Sequence, residues 1–230
     1  MVVGNGMIAR RFESYQHNNN FVIFASGVSN SKNTDDSAYE REKNLLHSVI
    51  EKNSEKPLVY FSTCSVYDPD EQLHKYVIHK KSIEAFIQKN CDQFYIFRVS
   101  NLVGHSANPN TLMNFFIHHI CNKINFHLWN NATRNLIDID DMYLVIHHIL
   151  QTRLYPSSII NVANPVMYSV KEIIGAIESW CMVKANYITI EKGSVFTIDT
   201  SVIAPVIQNL DIRFRKDYLR NLLKKYYIQP

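Results

Sequence analysis

The chain has 230 residues, 46% of them hydrophobic and 20% charged, a composition that excludes disorder as its main state. At roughly 150 residues per domain, this length suits one large domain or a domain with a smaller lobe. The 24 basic and 21 acidic residues are interspersed and leave a formal charge of +3, so no nucleic-acid footprint stands out, and no apolar run approaches the roughly 20 residues of a membrane helix.

Apolar runs and turn signals then alternate along the chain. Met1–Val3 is an apolar stub before the turn Gly4-Asn5-Gly6, and a helical stretch follows from Met7 to about Tyr15, where Asn18–Asn20 break it. Phe21–Ala25 is a short continuous apolar run ending at Ser26-Gly27, the pattern of a strand buried on both faces of a parallel sheet. After the polar loop Val28–Asn33, Asp35 or Asp36 caps a helix reaching about Lys52, with Tyr39, Leu45, Leu46, Val49 and Ile50 at helical spacing. Pro57–Phe61 reads as another buried strand with a polar end, Ser62-Thr63-Cys64-Ser65. Tyr76–Lys89 is helical, and Phe94–Val99 is a strand ending in Ser100-Asn101. Further on, Thr111–Asn122 suits a helix, Arg134–Ile139 a short strand, Asp140–Gln151 a helix capped by Asp140 or Asp141, and Ile159–Ala163 a strand. Ser169 and Glu172 form a capping box for a helix to Trp180, and Phe214–Tyr227 is a basic helix. This alternation predicts an α/β fold, with right-handed crossovers and a parallel sheet covered on both faces.

Two constellations carry chemistry. Gly4-Asn5-Gly6-Met7-Ile8-Ala9 is a G-x-G-x-x-A turn, in which backbone amides at a helix start approach a pyrophosphate. The acidic residue such a turn has about 20 residues on is missing, since Phe21–Ala25 ends in Ser26-Gly27. Arg10 and Arg11 follow the turn, and a guanidinium there suits a ribose phosphate, which points to NADP over NAD; the plain alternative is two solvated arginines. In the second constellation, Tyr76 and Lys80 stand at i and i+4 on one helix face. There the ammonium is expected to stabilise the phenolate and bring it below its free pKa of about 10. A surface pair on an amphipathic helix is the alternative. Thr63, at a strand end, is placed to hydrogen-bond the same substrate oxygen.

In this order the motifs resemble the extended short-chain dehydrogenase/reductase superfamily, the group of sugar-nucleotide epimerases, dehydratases and reductases. Gly4–Ala9 is similar to its glycine turn, and Phe21–Gly27 to its H-L-A-A/G strand end. Ser62–Tyr67 resembles S-S-x-x-V-Y-G, and Tyr76 and Lys80 match Y-x-x-x-K. Arg98–Gly104 is similar to R-x-x-N-V-Y-G and Arg134–Asp141 to R-D-F-I-H-V-D-D. The resemblance implies a Rossmann-like doubly wound parallel sheet with a small C-terminal lobe. Residues 1–102 and about 136–165 would form the cofactor-binding domain, and about 103–135 and 166–230 the substrate-binding lobe.

It further implies a catalytic set of Thr63, Tyr76 and Lys80. Cofactor contacts would come from Gly4, Gly6, Met7, Ile8, Arg10, Arg11, Ala25, Ser26, Gly27, Ser62, Tyr76 and Lys80, and substrate contacts from Cys64, Ser65, Asn101 and Arg134. Residues 4–21 are too few for the family's usual second and third strands, so the part that grips adenosine is missing or replaced. Cys64-Ser65 stands where sugar-nucleotide dehydratases carry Asp-Glu, and Ser65 where enolising epimerases carry cysteine, so neither reaction is expected. Hydride transfer is left. The leading expectation is an NADP-dependent reductase of a nucleotide-linked 4-keto-sugar with Tyr76 as proton donor. The alternatives are a sugar-nucleotide 4-epimerase with tightly bound NAD and a non-catalytic, cofactor-sensing protein of the same fold. The resemblance also implies a homodimer through the helices Tyr39–Lys52 and Tyr76–Lys89. Cys64, Cys91, Cys121 and Cys181 form no C-x-x-C pair, and the histidine pairs 118–119 and 147–148 lack i,i+4 spacing, so reduced thiols and no metal are expected. The N-terminus has no charged region leading into an apolar one, so the expected setting is the cytoplasm, without membrane or nucleic-acid partners.

Overall fold

The buried runs become the strands of one parallel sheet. The computed structural model describes residues 1–31 and 33–228; Lys32 in the expected polar loop and Gln229 and Pro230 at the end of the expected lobe lie outside the described residues. β1 (Val2–Val3), α1 (Met7–Arg11), β2 (Val22–Phe24), α2 (Asp36–Lys52), β3 (Leu58–Thr63), α3 (Lys75–Asn90) and β4 (Phe94–Val99) alternate as predicted. Beyond them come β5 (Asn101–Val103), α4 (Leu112–Cys121), β6 (Phe126–Trp129), β7 (Thr133–Arg134), β8 (Leu136–Asp138), α5 (Ile139–Thr152) and β9 (Ser158–Val162). The chain ends with β10 (Tyr168–Ser169), α6 (Val170–Cys181), β11 (Tyr187–Ile190), α7 (Ala204–Asn209) and α8 (Tyr218–Tyr226). The main sheet has the order β1-β2-β3-β4-β9 and is parallel throughout.

Period-two alternation divides its side chains between two cores. Ile23, Val59, Phe61, Tyr95 and Phe97 meet Phe12 and the α5 residues Met142, Val145, Ile146 and Ile149 on one face. On the other, Val22, Phe24, Leu58, Tyr60, Phe94 and Ile96 meet Leu46 and Val49 of α2 and Ile83 and Ile87 of α3. The apolar stripes of α2 and α3 are thus spent on the sheet. A third core, with Met113 and Phe116 of α4, Leu128 of β6, Ile174 and Ile177 of α6 and Leu222 of α8, organises a second lobe.

Strand order follows chain order without reversal, and crossovers of a single hand would then put every helix on one face. Instead α1 and α5 lie opposite α2 and α3, so the first and last connections have the opposite hand from the two between them. This departs from the right-handed crossovers expected throughout. For the first connection the cause is local to residues 4–21, which return directly to the sheet with no further strand that would reverse the winding.

Two helix starts also differ from expectation. α5 is capped by Asp138, whose carboxylate accepts from the Asp140 N–H, and not by Asp140 or Asp141. The tail helix begins at Tyr218, because Phe214 packs as irregular chain between two cores. Asp35 caps α2 and the Ser169–Glu172 capping box opens α6. Among the described residues no helix is long and apolar enough to cross a membrane.

Candidate active site

The carboxyl ends of β1 to β4 open on a cleft of about 810 Å³, walled on its far side by the second lobe. The glycine turn forms one rim. Gly4 has φ +129°, and a Cβ there would stand 2.4 Å from the Ala25 carbonyl oxygen, so β1 and β2 approach this closely only with glycine. Gly6, by contrast, has open space where its Cβ would be and lines the cleft with Met7 and Ile8. Arg10 also lines it, its Nε donating to Asn5 O at 3.2 Å. Arg11 does not share this position. Its guanidinium is drawn to α5, 2.6 Å from Asp140 Oδ1 and 3.7 Å above the Tyr143 ring, so the expected cofactor contact is withdrawn for Arg11.

At the floor, Ala25, Ser26 and Gly27 end β2, and Ser62, Thr63, Cys64 and Ser65 end β3. Thr63 is buried beside the Tyr76 phenol, and its hydroxyl accepts from the Ser65 N–H. The Tyr76 pKa is pushed up to about 12: burial penalises the phenolate, the Thr63 hydroxyl opposes that, and the charges of Glu42, Cys64 and Glu71 add to it. This reverses the expectation that Lys80 lowers it. The Lys80 amine is 5.9 Å from the Tyr76 ring centre and is occupied elsewhere, donating to Glu42 Oε1 at 3.0 Å, the Tyr60 hydroxyl at 2.9 Å and Phe61 O at 3.4 Å. A Cβ on Gly27 would come 2.6 Å from the Lys80 nitrogen, which places the amine directly under the end of β2.

Several expected side chains serve the scaffold. The Ser62 hydroxyl donates to Glu84 Oε1, and Glu84 in turn takes a two-pronged contact from Arg98. Cys64 lines the cleft, but its thiol faces Arg98 O at 3.1 Å, and burial pushes its pKa far up. Asn101 is exposed on the cleft and donates to Asn135 O. Arg134 also borders it, paired with the buried Asp68 at 3.2 Å.

Glu42, Tyr60, Asp68, Arg41 and Ser100 were missed by the sequence reading. Glu42 had a signal, being an acidic residue in phase with Tyr39, Leu46 and Val49 on the buried stripe of α2. Arg41 reaches the Ser26 hydroxyl and carbonyl from the same helix. Ser100 lines the cleft, and its hydroxyl oxygen is buried without a hydrogen-bond partner.

The model of the NAD dependent epimerase/dehydratase family matches residues 15–163. No curated protein matches the sequence. Among solved structures, RMD from Pseudomonas aeruginosa complexed with NADPH is 13% identical, covers 97% of this chain and 98% of its own, and has a TM-score of 0.70. dTDP-4-dehydrorhamnose reductase from Bacillus anthracis in complex with NADP is 16% identical over 95% of this chain and 84% of its own, with a TM-score of 0.66. MoeE5 in complex with UDP-glucuronic acid and NAD is 16% identical over 90% and 77%, with a TM-score of 0.70. At these identities the likeness speaks for the fold.

Proposed function

The chain belongs to the NAD-dependent epimerase/dehydratase family, and from that premise we propose that it reduces a nucleotide-linked keto-sugar with NADPH, most simply at carbon 4. The observation that carries this reading is the junction of Thr63 and Tyr76 at the cleft floor beside the amine of Lys80, under the strand end that the glycine turn faces. A bound nicotinamide dinucleotide would supply the hydride. The residues fit such a group: the space at Gly6 leaves room for a diphosphate, and the unpartnered Ser100 hydroxyl suits a carboxamide. Arg10 is the cation at the turn that would favour NADP.

In this reading Tyr76 donates its proton to the substrate oxygen, and Thr63 holds that oxygen in line. A phenol kept protonated by burial suits donation, which is why reduction is preferred here to the oxidative first half of an epimerase. Asn101 and Arg134, together with the aromatic Trp129 and Phe196 on the lobe side, would hold the nucleotide-linked part of the substrate. The division into a cofactor domain, residues 1–102 and about 136–165, and a substrate lobe follows from the same proposal. Of the solved structures above, two bind NADPH or NADP and one binds UDP-glucuronic acid with NAD.

Calorimetry with NADPH and NADH tests the reading, with micromolar binding of NADPH expected. Absence of binding at millimolar concentration overturns it, and an absorbance spectrum showing tightly bound NAD favours the epimerase. Tyr76→Phe should lose about 10²–10⁴-fold in turnover while binding NADPH as the wild type does. Association of two copies through residues 39–52 and 76–89 is proposed on the resemblance alone, and sedimentation equilibrium checks it.

A further inference from the structure

Behind the cleft lies a group of buried ionisable side chains that the reaction above leaves unexplained. Glu42 is fully buried and Lys80 is 2% exposed. Charges so placed persist only when paired and hydrogen-bonded. Here every polar atom of the Glu42 and Lys80 side chains is engaged. Glu42 Oε1 accepts from Lys80 and, at 2.6 Å, from the Tyr60 hydroxyl, while Oε2 accepts from the Val28 N–H at 2.7 Å. His79 Nε2 is 3.1 Å from Oε2, outside hydrogen-bonding geometry. All three protons of the Lys80 ammonium have acceptors.

We propose that Glu42 is a positioning residue of this site: from the buried face of α2 it neutralises Lys80 and, with Tyr60, fixes the amine under Gly27, so that Tyr76 works as a proton donor and not as a base. The inference rests on the reductase reading and deepens it. An unpaired ammonium near a phenol favours the phenolate, whereas an ammonium in contact with a carboxylate presents little net charge to it. The groups facing Tyr76 are Glu42 and Tyr39 from α2, Thr63 and Tyr60 from β3, Cys64 and Glu71 from the turns after β3, and Lys80 from its own helix. None of these but Lys80 is a cation, so with Lys80 masked no positive charge offsets the burial that keeps the phenol protonated. Glu42 has a second consequence. Its bond to the Val28 N–H ties the loop after Gly27 to the same carboxylate, so the backbone above the amine and the amine itself share one anchor.

The test is an ultraviolet titration of phenol ionisation on the full chain between pH 7 and 12. The Tyr76 signal is isolated as the difference between each protein and its Tyr76→Phe counterpart, with circular dichroism to confirm the fold. In the wild-type background Tyr76 should stay protonated until about pH 12. In Glu42→Gln, which unmasks Lys80, its midpoint should fall by about one pH unit or more. Tyr60→Phe removes one partner of each charge with little change of shape, so it serves if Glu42→Gln does not fold; it should move the midpoint the same way by less. An unmoved Tyr76 midpoint in Glu42→Gln, or in Tyr60→Phe where Glu42→Gln cannot be made, overturns the proposal. The titration uses neither cofactor nor substrate, so its failure is distinct from that of the reductase reading, which falls if the wild type binds no NADPH by calorimetry.

Discussion

Two glycines, two residues apart, should respond to the same methyl group in opposite ways. At Gly4 an alanine must adopt φ near +129°, which costs an L-residue about 1–3 kcal/mol, and its Cβ would sit 2.4 Å from a backbone oxygen that no side-chain rotation can move. Ordinary contact begins near 3.4 Å, so β1 and β2 must part by about 1 Å, an overpacking cost of about 1–3 kcal/mol more. Gly4→Ala should therefore lose about 2–6 kcal/mol, seen as a drop of about 1–3 M in the urea midpoint. At Gly6 the backbone is at φ −73° and ψ −174°, which alanine tolerates, and nothing stands within 4 Å of the new Cβ. Gly6→Ala should cost under about 1 kcal/mol, the difference between glycine and alanine at a helix N-cap. Its methyl group instead fills space beside the turn, so NADPH affinity measured by calorimetry should fall about tenfold or more. Equal urea midpoints for the two variants would refute the strain argument, and wild-type NADPH affinity in Gly6→Ala would refute the assignment of the turn to a diphosphate.

Other expectations concern the buried charges. Burial alone would raise the Glu42 pKa, but the Lys80 ammonium, His79, the Tyr60 hydroxyl and the Val28 amide outweigh it and hold the carboxyl well below its ordinary 4.5. A carboxyl depressed by folding adds stability that is present in full above its unfolded pKa and is lost as pH falls towards the folded one. Urea midpoints should therefore decline as pH falls below about 5, and Glu42→Gln should lose that part of the decline. Arg98→Met should cost about 3–5 kcal/mol by leaving buried Glu84 without its two-pronged partner, and a loss under about 1 kcal/mol in urea melts would contradict this.

The elements that sequence reasoning placed best are those whose physics is local. Phe94–Val99 is an apolar run interrupted only by Arg98, and the Ser169–Glu172 box is a matter of three residues, so both were found within a residue or two. Thr63 and Tyr76 were brought together correctly because a strand end and the next helix start are neighbours in any such fold. The state of the phenol was not legible. The i,i+4 spacing of Tyr76 and Lys80 says that the two can meet, but the choice made by Lys80 depends on Glu42, 38 residues earlier on another helix. Arg11 failed for the same reason, since its partner Asp140 is supplied by α5 across the sheet. The opposite hand of the first connection was equally hidden, because neither length nor pattern in residues 4–21 says which face the return crosses.

That short return also decides what holds the glycine turn. Among the described residues β1 is a two-residue edge strand, too short to template another chain, and its exposed Val2 N–H donates to the Gln16 side chain. The Met1 nitrogen donates to the carbonyls of Asn18 and Phe21, so the start of β1 is tied to the far end of the return. On its inner side β1 is held by ladder bonds such as Ile23 N to Met1 O and Ala25 N to Val3 O. Gly4 follows that last bond directly and leans on Ala25 itself. The position of the turn over the cleft thus rests on one strand–strand contact where a wider sheet would supply two, and for that reason a single added carbon at Gly4 should disturb the fold while the same carbon at Gly6 disturbs the ligand.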